Sequence, residues 1–420
     1  MSRSSTAVLL AAAGAGWEAR AIDRLERSAP AVTLVRRCVD LTDLLGAAGA
    51  GLASVAVVSS RLQGLDADSV DSLRLAGVAV VLVADPSESP DEQPDRLRRI
   101  GINHQVDEAR LEELVDVVRA ASADESTQAA DEGGGATTVP EDEVRPGRLV
   151  AVWGPAGAPG RTTVSVGLAT EIAGLGRGAF LLDLDPYGGA VAQHLGVLDE
   201  VSGLLAAARA ANAGELDDER LSQLARQVHE HLRVLTGLPR ADRWREVRPA
   251  ALQALLATAA RLAPYVVLDV GFSLESDPAD PFGTAAPQRN EMTVAAVTRA
   301  DEVVVVGGAD PVGLARLARG LVELRDTVPD ARPRVVVNRT RPSLGWSDRE
   351  IRGMVEGFVT PADVHFLPED RAAADRALMS GRSLAEAGES PLRTAVAEVA
   401  RAVVGAPVAP VRRRRAGRGR

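Results

Sequence analysis

Apolar and amphipathic segments take turns along the chain. Short apolar runs, "AVLLAAA", "AVTLVRR", "SVAVVSS" and "VAVVLVAD", recur through residues 1–120, each of a length that suits a buried strand. Between them lie amphipathic stretches such as "EARAIDRLERS" and "LTDLLGAAGA". "DEARLEELVDVVRAA" closes the series as a helix with Leu111, Leu114, Val115 and Val118 on one face. Such alternation predicts a parallel sheet covered by helices. "AVLLAAAGAG" could pass for the core of a secretion signal. Only Arg3 precedes it, however, and the charged "WEARAIDRLERS" follows at once, so a buried first strand is expected.

Periodicity lapses over residues 121–147, which are rich in Gly, Ala, Thr, Asp and Glu, and predict a flexible acidic linker. From Arg148 the alternation resumes. Strands are expected at "RLVAVWG", "AFLLDLD", "LRVLTG", "YVVLDVG", "EVVVVGGA" and "RVVVNRT". These runs are continuously apolar, as when helices cover both faces of a parallel sheet. Helices are expected after "GRTT", across "PVGLARLARGLVELRDT" and at "PLRTAVAEVARAVV". The chain thus divides into a front α/β unit (1–120), the linker (121–147), a larger α/β unit (148–405) and a basic tail (406–420) expected to be disordered.

Composition narrows the picture. At 420 residues the chain exceeds one ordinary core. Aromatics make up only 3%, so Val, Leu, Ala and Ile must fill the interior. The single cysteine, Cys38, excludes an internal disulfide and a multi-cysteine zinc site, and fits a reducing cytoplasm. No run is apolar enough for a transmembrane segment. The net charge is −10 although the tail is arginine-rich, which argues against broad nucleic-acid binding by the folded units. There is no lysine: all 48 basic residues are arginine.

The candidate chemistry begins at "GPAGAPGRTT". A strand runs into glycines and then into a helix start, where backbone N–H groups can face phosphates. The usual phosphate loop reads G-x-x-x-x-G-K-[ST]. Here Pro155 holds the first glycine position and Arg161 the lysine position, while Gly157, Ala158, Gly160, Arg161, Thr162 and Thr163 form the candidate cradle. Alone, the loop is also readable as a glycine-rich strand-to-helix turn. "FLLDLDPYGG" sets Asp183 and Asp185 at a strand tip, which in a doubly wound sheet is the ligand edge; a turn or helix-cap role suits them equally. "YVVLDVG" ends an apolar strand in Asp269, suited to holding Mg2+ through water. The order of the three motifs is more specific than any one of them.

In these motifs, and in "VVVVGGADPVGLARL", "VVVNRTRP" and "LPEDRAAADRALMSGRSLAEAGESPLRTAVAEVA", residues 148–405 resemble the MinD/ParA group of P-loop ATPases, and most closely its CpaE-like branch in pilus assembly. The resemblance implies a P-loop NTPase sheet with helices on both faces, and ATP with Mg2+ as ligands. It implies Thr162 as a metal ligand supported by Asp183 and Asp269, and Asp185 orienting the lytic water. It further implies adenine contacts from Asn338, Leu367, Pro368 and Glu369. A nucleotide-dependent homodimer and protein partners from a pilus, secretion or division apparatus would follow, in the cytoplasm or at the inner membrane face.

Two departures qualify this. Arg161 replaces the standard phosphate lysine, and Ala156 replaces a signature lysine that reaches the partner's phosphates across a nucleotide-sandwich dimer. A guanidinium keeps the charge but not the shape of an ammonium, so hydrolysis is in question, and a non-hydrolysing scaffold is the alternative. Residues 1–120 resemble a receiver domain of flavodoxin-like fold, but its third strand ends in Ser59 and Ser60 and no lysine is present. Docking or dimerisation, not phosphoacceptance, is expected of it. Arg339 and Arg341 could add charge beside Asn338, though a solvated surface role suits them better. The "HEH" of His229 and His231 reads as helical and unsuited to a metal. The arginines of Arg412–Arg420 could touch an anionic membrane or nucleic acid.

Overall fold

The computed structural model describes residues 5–84, 97–131, 146–197, 201–276 and 288–405. The basic tail and most of the expected linker lie outside the described residues.

The first sheet contains β1 (Thr6–Ala11), β2 (Val32–Arg37), β3 (Val55–Ser59), β4 (Ala79–Ala84) and β5 (His104–Asp107), in the order β2-β1-β3-β4-β5. Every pairing is parallel, and the order is the flavodoxin-like one. The apolar runs follow from burial on both sides. Along β3, Ala56 and Val58 enter one core while Val55 and Val57 enter the core on the opposite face.

"DEARLEELVDVVRAA" is not one helix. A 3₁₀ segment, Glu108–Glu113, contains non-helical Arg110 and precedes the α-helix Leu114–Asp131. Leu111, Leu114 and Val118 are buried as expected, and Val115 is half-buried. The helix continues past residue 120, so the expected linker begins as helix. Its stretch to Asp131 is rich in Ala and holds neither Gly nor Pro to stop it.

The second sheet has eight strands: β6 (Arg148–Trp153), β7 (Ala179–Leu184), β8 (Arg226–His229), β9 (Leu232–Leu235), β10 (Tyr265–Val270), β11 (Glu302–Gly308), β12 (Arg334–Thr340) and β13 (Asp363–Pro368). Their order is β13-β12-β11-β6-β10-β7-β9-β8. All pairings are parallel except that of β8 with β9. The sequence "HEH" is therefore a hairpin and not a helix: His229 ends β8 and pairs with Leu232. Alternate residues of β6 again enter opposite cores, Ala151 and Trp153 on one face, Val150 and Val152 on the other. The chain leaves β6 toward β7 and later returns to flank it with β10 and β11. That reversal makes the C-terminal tip of β6 a topological switch point, the place where open α/β sheets take ligands.

Candidate nucleotide-binding site

The loop leaving β6 is held from both sides. Gly154 lies so close to β11 that a Cβ there would sit 2.3 Å from the Val306 carbonyl oxygen. Pro155 packs against the helix Pro311–Thr327: a Cβ on Gly320 would come within 2.9 Å of the proline ring. The departure from glycine at 155 thus has a packing reason. Gly157 and Gly160 take φ of +77° and +86°, a left-handed conformation that suits glycine. Gly160 opens the helix Arg161–Gly174, whose first turn has no side-chain cap and no acidic residue. An uncapped helix start of this kind offers the N–H groups of its first turn, including Thr162 and Thr163, to an anion. Ala156 is exposed and Ala158 half-buried in the loop.

Arg161 is folded along the loop. Its Nη1 donates to the Gly154 carbonyl at 3.3 Å, and its guanidinium lies 6.0 Å from the centre of the Phe272 ring. Thr162 donates its hydroxyl to Asp269 Oδ2 at 2.8 Å, and Ser165, one turn on, donates to Asp269 Oδ1 at 2.7 Å. The register explains this convergence. Asp269 on β10 lies opposite Val152 of β6 and Asp183 of β7.

Burial pushes the Asp269 carboxyl up to about 6; the Ser165 and Thr162 hydrogen bonds hold it down, and Asp185 opposes them. Asp183 is pushed well above the usual carboxylate range, first by burial and then by Asp269. Its oxygens already accept the backbone N–H groups of Val191 (3.1 Å) and Asp185 (3.4 Å). Asp185 is half-buried and accepts the Tyr187 N–H at 2.9 Å. Among the described residues no cluster of three or more His, Cys, Asp or Glu could hold a metal by itself. Thr162 with Asp269 nevertheless suits Mg2+, which takes one or two protein oxygens and completes its shell with phosphates and water. A cation there would also relieve the repulsion by which Asp269 raises Asp183 and Asp185 raises Asp269.

The expected adenine residues stand at the same edge. Asn338 on β12 is buried; its Nδ2 donates to the Pro159 carbonyl at 2.9 Å, and its Oδ1 accepts the Arg339 N–H. It therefore braces the loop directly. Leu367 and Pro368 end β13 beside β12, with the Leu367 carbonyl accepting the Thr340 hydroxyl. Glu369 pairs with Arg341 at 3.4 Å. The sequence reading missed Ser165, and it missed an aromatic wall. Phe272 packs on Tyr187 at 4.6 Å, Arg289 lies over the Tyr187 ring, and the Tyr187 hydroxyl donates to Asn290. Scarcity was an available signal: the chain has two tyrosines and five phenylalanines, and the two that follow "DLDP" and "LDVG" meet here.

No family model matches the sequence, and no curated protein matches it. Solved structures do. The ParA family ATPase from Chlorobium tepidum TLS is 18% identical, with a TM-score of 0.50; the match covers 60% of this chain and 98% of that one. The cell division ATPase MinD of Pyrococcus furiosus is 18% identical, with a TM-score of 0.48, over 62% of this chain and 99% of its own. The septum site-determining protein MinD complexed with Mg-ADP, from Pyrococcus horikoshii OT3, is 17% identical with a TM-score of 0.47, over 61% and 95%. At such identities the likeness is one of fold: the chain carries the P-loop ATPase fold seen in the ParA family ATPase.

Proposed function

We propose that the tip of β6 binds ATP with Mg2+, and that the chain works as a MinD/ParA-type switch whose partner-binding surface depends on nucleotide. The observation that carries this reading is the Thr162–Asp269 hydrogen bond at 2.8 Å, which joins the glycine loop to a buried strand-end carboxylate. Amides of the loop and of the helix start would hold phosphate oxygens, with Arg161 adding charge. Thr162 and Asp269 would hold Mg2+, whose chemistry is to neutralise phosphate charge. Asp185 would orient a water, and Asp183 keeps the neighbouring loop in place through Val191. Asn338 and the Leu367–Glu369 segment would border the base.

The finer reading is a CpaE-like protein that positions pilus or secretion machinery, or acts in division or partition, as a homodimer in its triphosphate state. It would work in the cytoplasm or at the inner membrane face, and among the described residues no helix is long and apolar enough to cross a membrane. The front unit would serve as a receiver-like docking module without phosphoacceptance.

The test is titration of purified chain with a fluorescent ATP analogue, with and without Mg2+, followed by a phosphate-release assay. Saturable Mg2+-dependent binding with slow release is expected. Thr162→Ala should weaken binding by about tenfold, or ~1.4 kcal/mol, and abolish release. A second reading, a non-hydrolysing scaffold, is favoured by Arg161 being tied to Gly154. It predicts saturable binding without release, and partner binding that survives Thr162→Ala. Failure of the wild-type chain to bind nucleotide overturns both readings.

A further inference from the structure

The helix Pro311–Thr327 lies along the phosphate loop, and glycines bring it close. A Cβ on Gly313 would fall 2.7 Å from the Gly308 carbonyl oxygen, and one on Gly320 would strike Pro155 and Trp153. Residues 313, 316 and 320 are spaced three and four apart, so they share one helix face. Two residues lie between the glycines on that side: Leu317, which is buried beneath β11, and Arg316, which is exposed at its edge. Its guanidinium rests on Gly157, where an added Cβ would be 1.9 Å from Nη1. Gly157 therefore serves as a seat for this arginine as well as a turn.

Arg316 is exposed, and no ion pair engages it among the described residues. Its neighbour Arg319 donates instead to a carbonyl of its own helix, and Arg325 pairs with Asp326. Ala156, the residue before its seat, is uncharged and exposed. Arg161 is half-buried and bonded back to the loop. Around them the site holds three carboxyl groups, Asp183, Asp185 and Asp269. A triphosphate entering it adds negative charge and needs cations at its far end. A planar guanidinium suits phosphate oxygens, which it can grip through two parallel hydrogen bonds.

We propose that Arg316 is a second cation of the phosphate site, contacting the terminal phosphate of a nucleoside triphosphate from the side of Gly157 and supplying the charge that position 156 lacks. This rests on the reading of the loop as a nucleotide site and adds a residue that distinguishes triphosphate from diphosphate.

The experiment titrates the full chain, in Mg2+, with fluorescent ATP and ADP analogues. The wild type is compared with Arg316→Gln, Arg316→Lys and Arg319→Gln, each checked by circular dichroism. Arg316→Gln should weaken the ATP analogue by about tenfold and the ADP analogue by no more than about twofold. Arg316→Lys should recover part of the loss, and Arg319→Gln should change neither. Equal weakening for both nucleotides, or no change for either, overturns the proposal while leaving the nucleotide site standing. Absence of binding by the wild type removes the site itself, and the proposal with it. Were Arg316→Gln to lose its fold, the ATP-to-ADP ratio of Arg316→Lys decides: an unchanged ratio overturns the proposal, and a reduced one supports it.

Discussion

Ser165 has no exposed surface; its hydroxyl lies 3.1 Å from the Arg161 carbonyl and, closer, 2.7 Å from Asp269, a carboxylate that is itself 1% exposed. A hydroxyl facing a buried carboxylate is a strong hydrogen bond, and removing one partner leaves the other desolvated and unpaired. Ser165→Ala should therefore lower stability by about 1–3 kcal/mol, read as a shift in the urea midpoint at constant slope. It should also weaken Mg2+-dependent nucleotide binding, because Asp269 loses one of the two donors that hold its charge. An unchanged midpoint would mean that Asp269 is not held as described. Thr162 and Asp269 were both legible in the sequence, since each sits at a fixed place in a motif. Ser165 was not, because a serine one turn into an apolar helix is locally indistinguishable from filler, and only the register between β6 and β10 supplies its partner. Arg316 was hidden for the same reason.

The helix expected across "PVGLARLARGLVELRDT" has those bounds, Pro311–Thr327, and the structure shows Asp310 capping its start with Pro311 in its first turn. What its interior glycines do was not legible. In an exposed helix, Gly→Ala gains up to about 1 kcal/mol. Gly353, exposed in the helix Asp348–Glu356 with nothing within 4 Å of an added Cβ, should behave so. At Gly313 the added Cβ meets the Gly308 backbone at 2.7–2.8 Å. Gly313→Ala should lose about 1–3 kcal/mol and push the helix, with Arg316, off the loop. Equal gains at both positions in parallel denaturation curves would refute the close approach. Strands divided in the same way. Fully buried runs such as β4 and β11 announce themselves, while β5, β8 and β13 are half-polar edge or near-edge strands whose pattern does not stand out from loops.

At the scale of the whole molecule, the sequence suggests two units joined only by a linker, whereas the structure also joins them through side chains. Arg248, just before the helix Pro249–Leu262, pairs with Asp66 at 2.7 Å and Asp68 at 3.4 Å, and the Ala250 N–H is donated to Asp68. Ala250 packs on the core of the front unit, and Arg99 reaches the Gly214 carbonyl. These partners are more than a hundred positions apart, so no local pattern could pair them. Asp68 carries the thermodynamic consequence. Burial raises its carboxyl, while the Ala250 N–H and Arg248 pull it back down. Arg248→Met keeps an apolar stem but removes the cation, leaving Asp68 charged and partly buried at neutral pH. The expected loss is about 1–3 kcal/mol, seen in calorimetry as separation of the front unit's melting from that of the larger unit. The sign with pH follows from the proton. Below the ordinary carboxylate range Asp68 is neutral in both folded and unfolded chains, so the deficit of the variant should shrink in acid and grow as pH rises toward neutrality. A single unchanged transition at both pH values would show that the contact does not couple the two units.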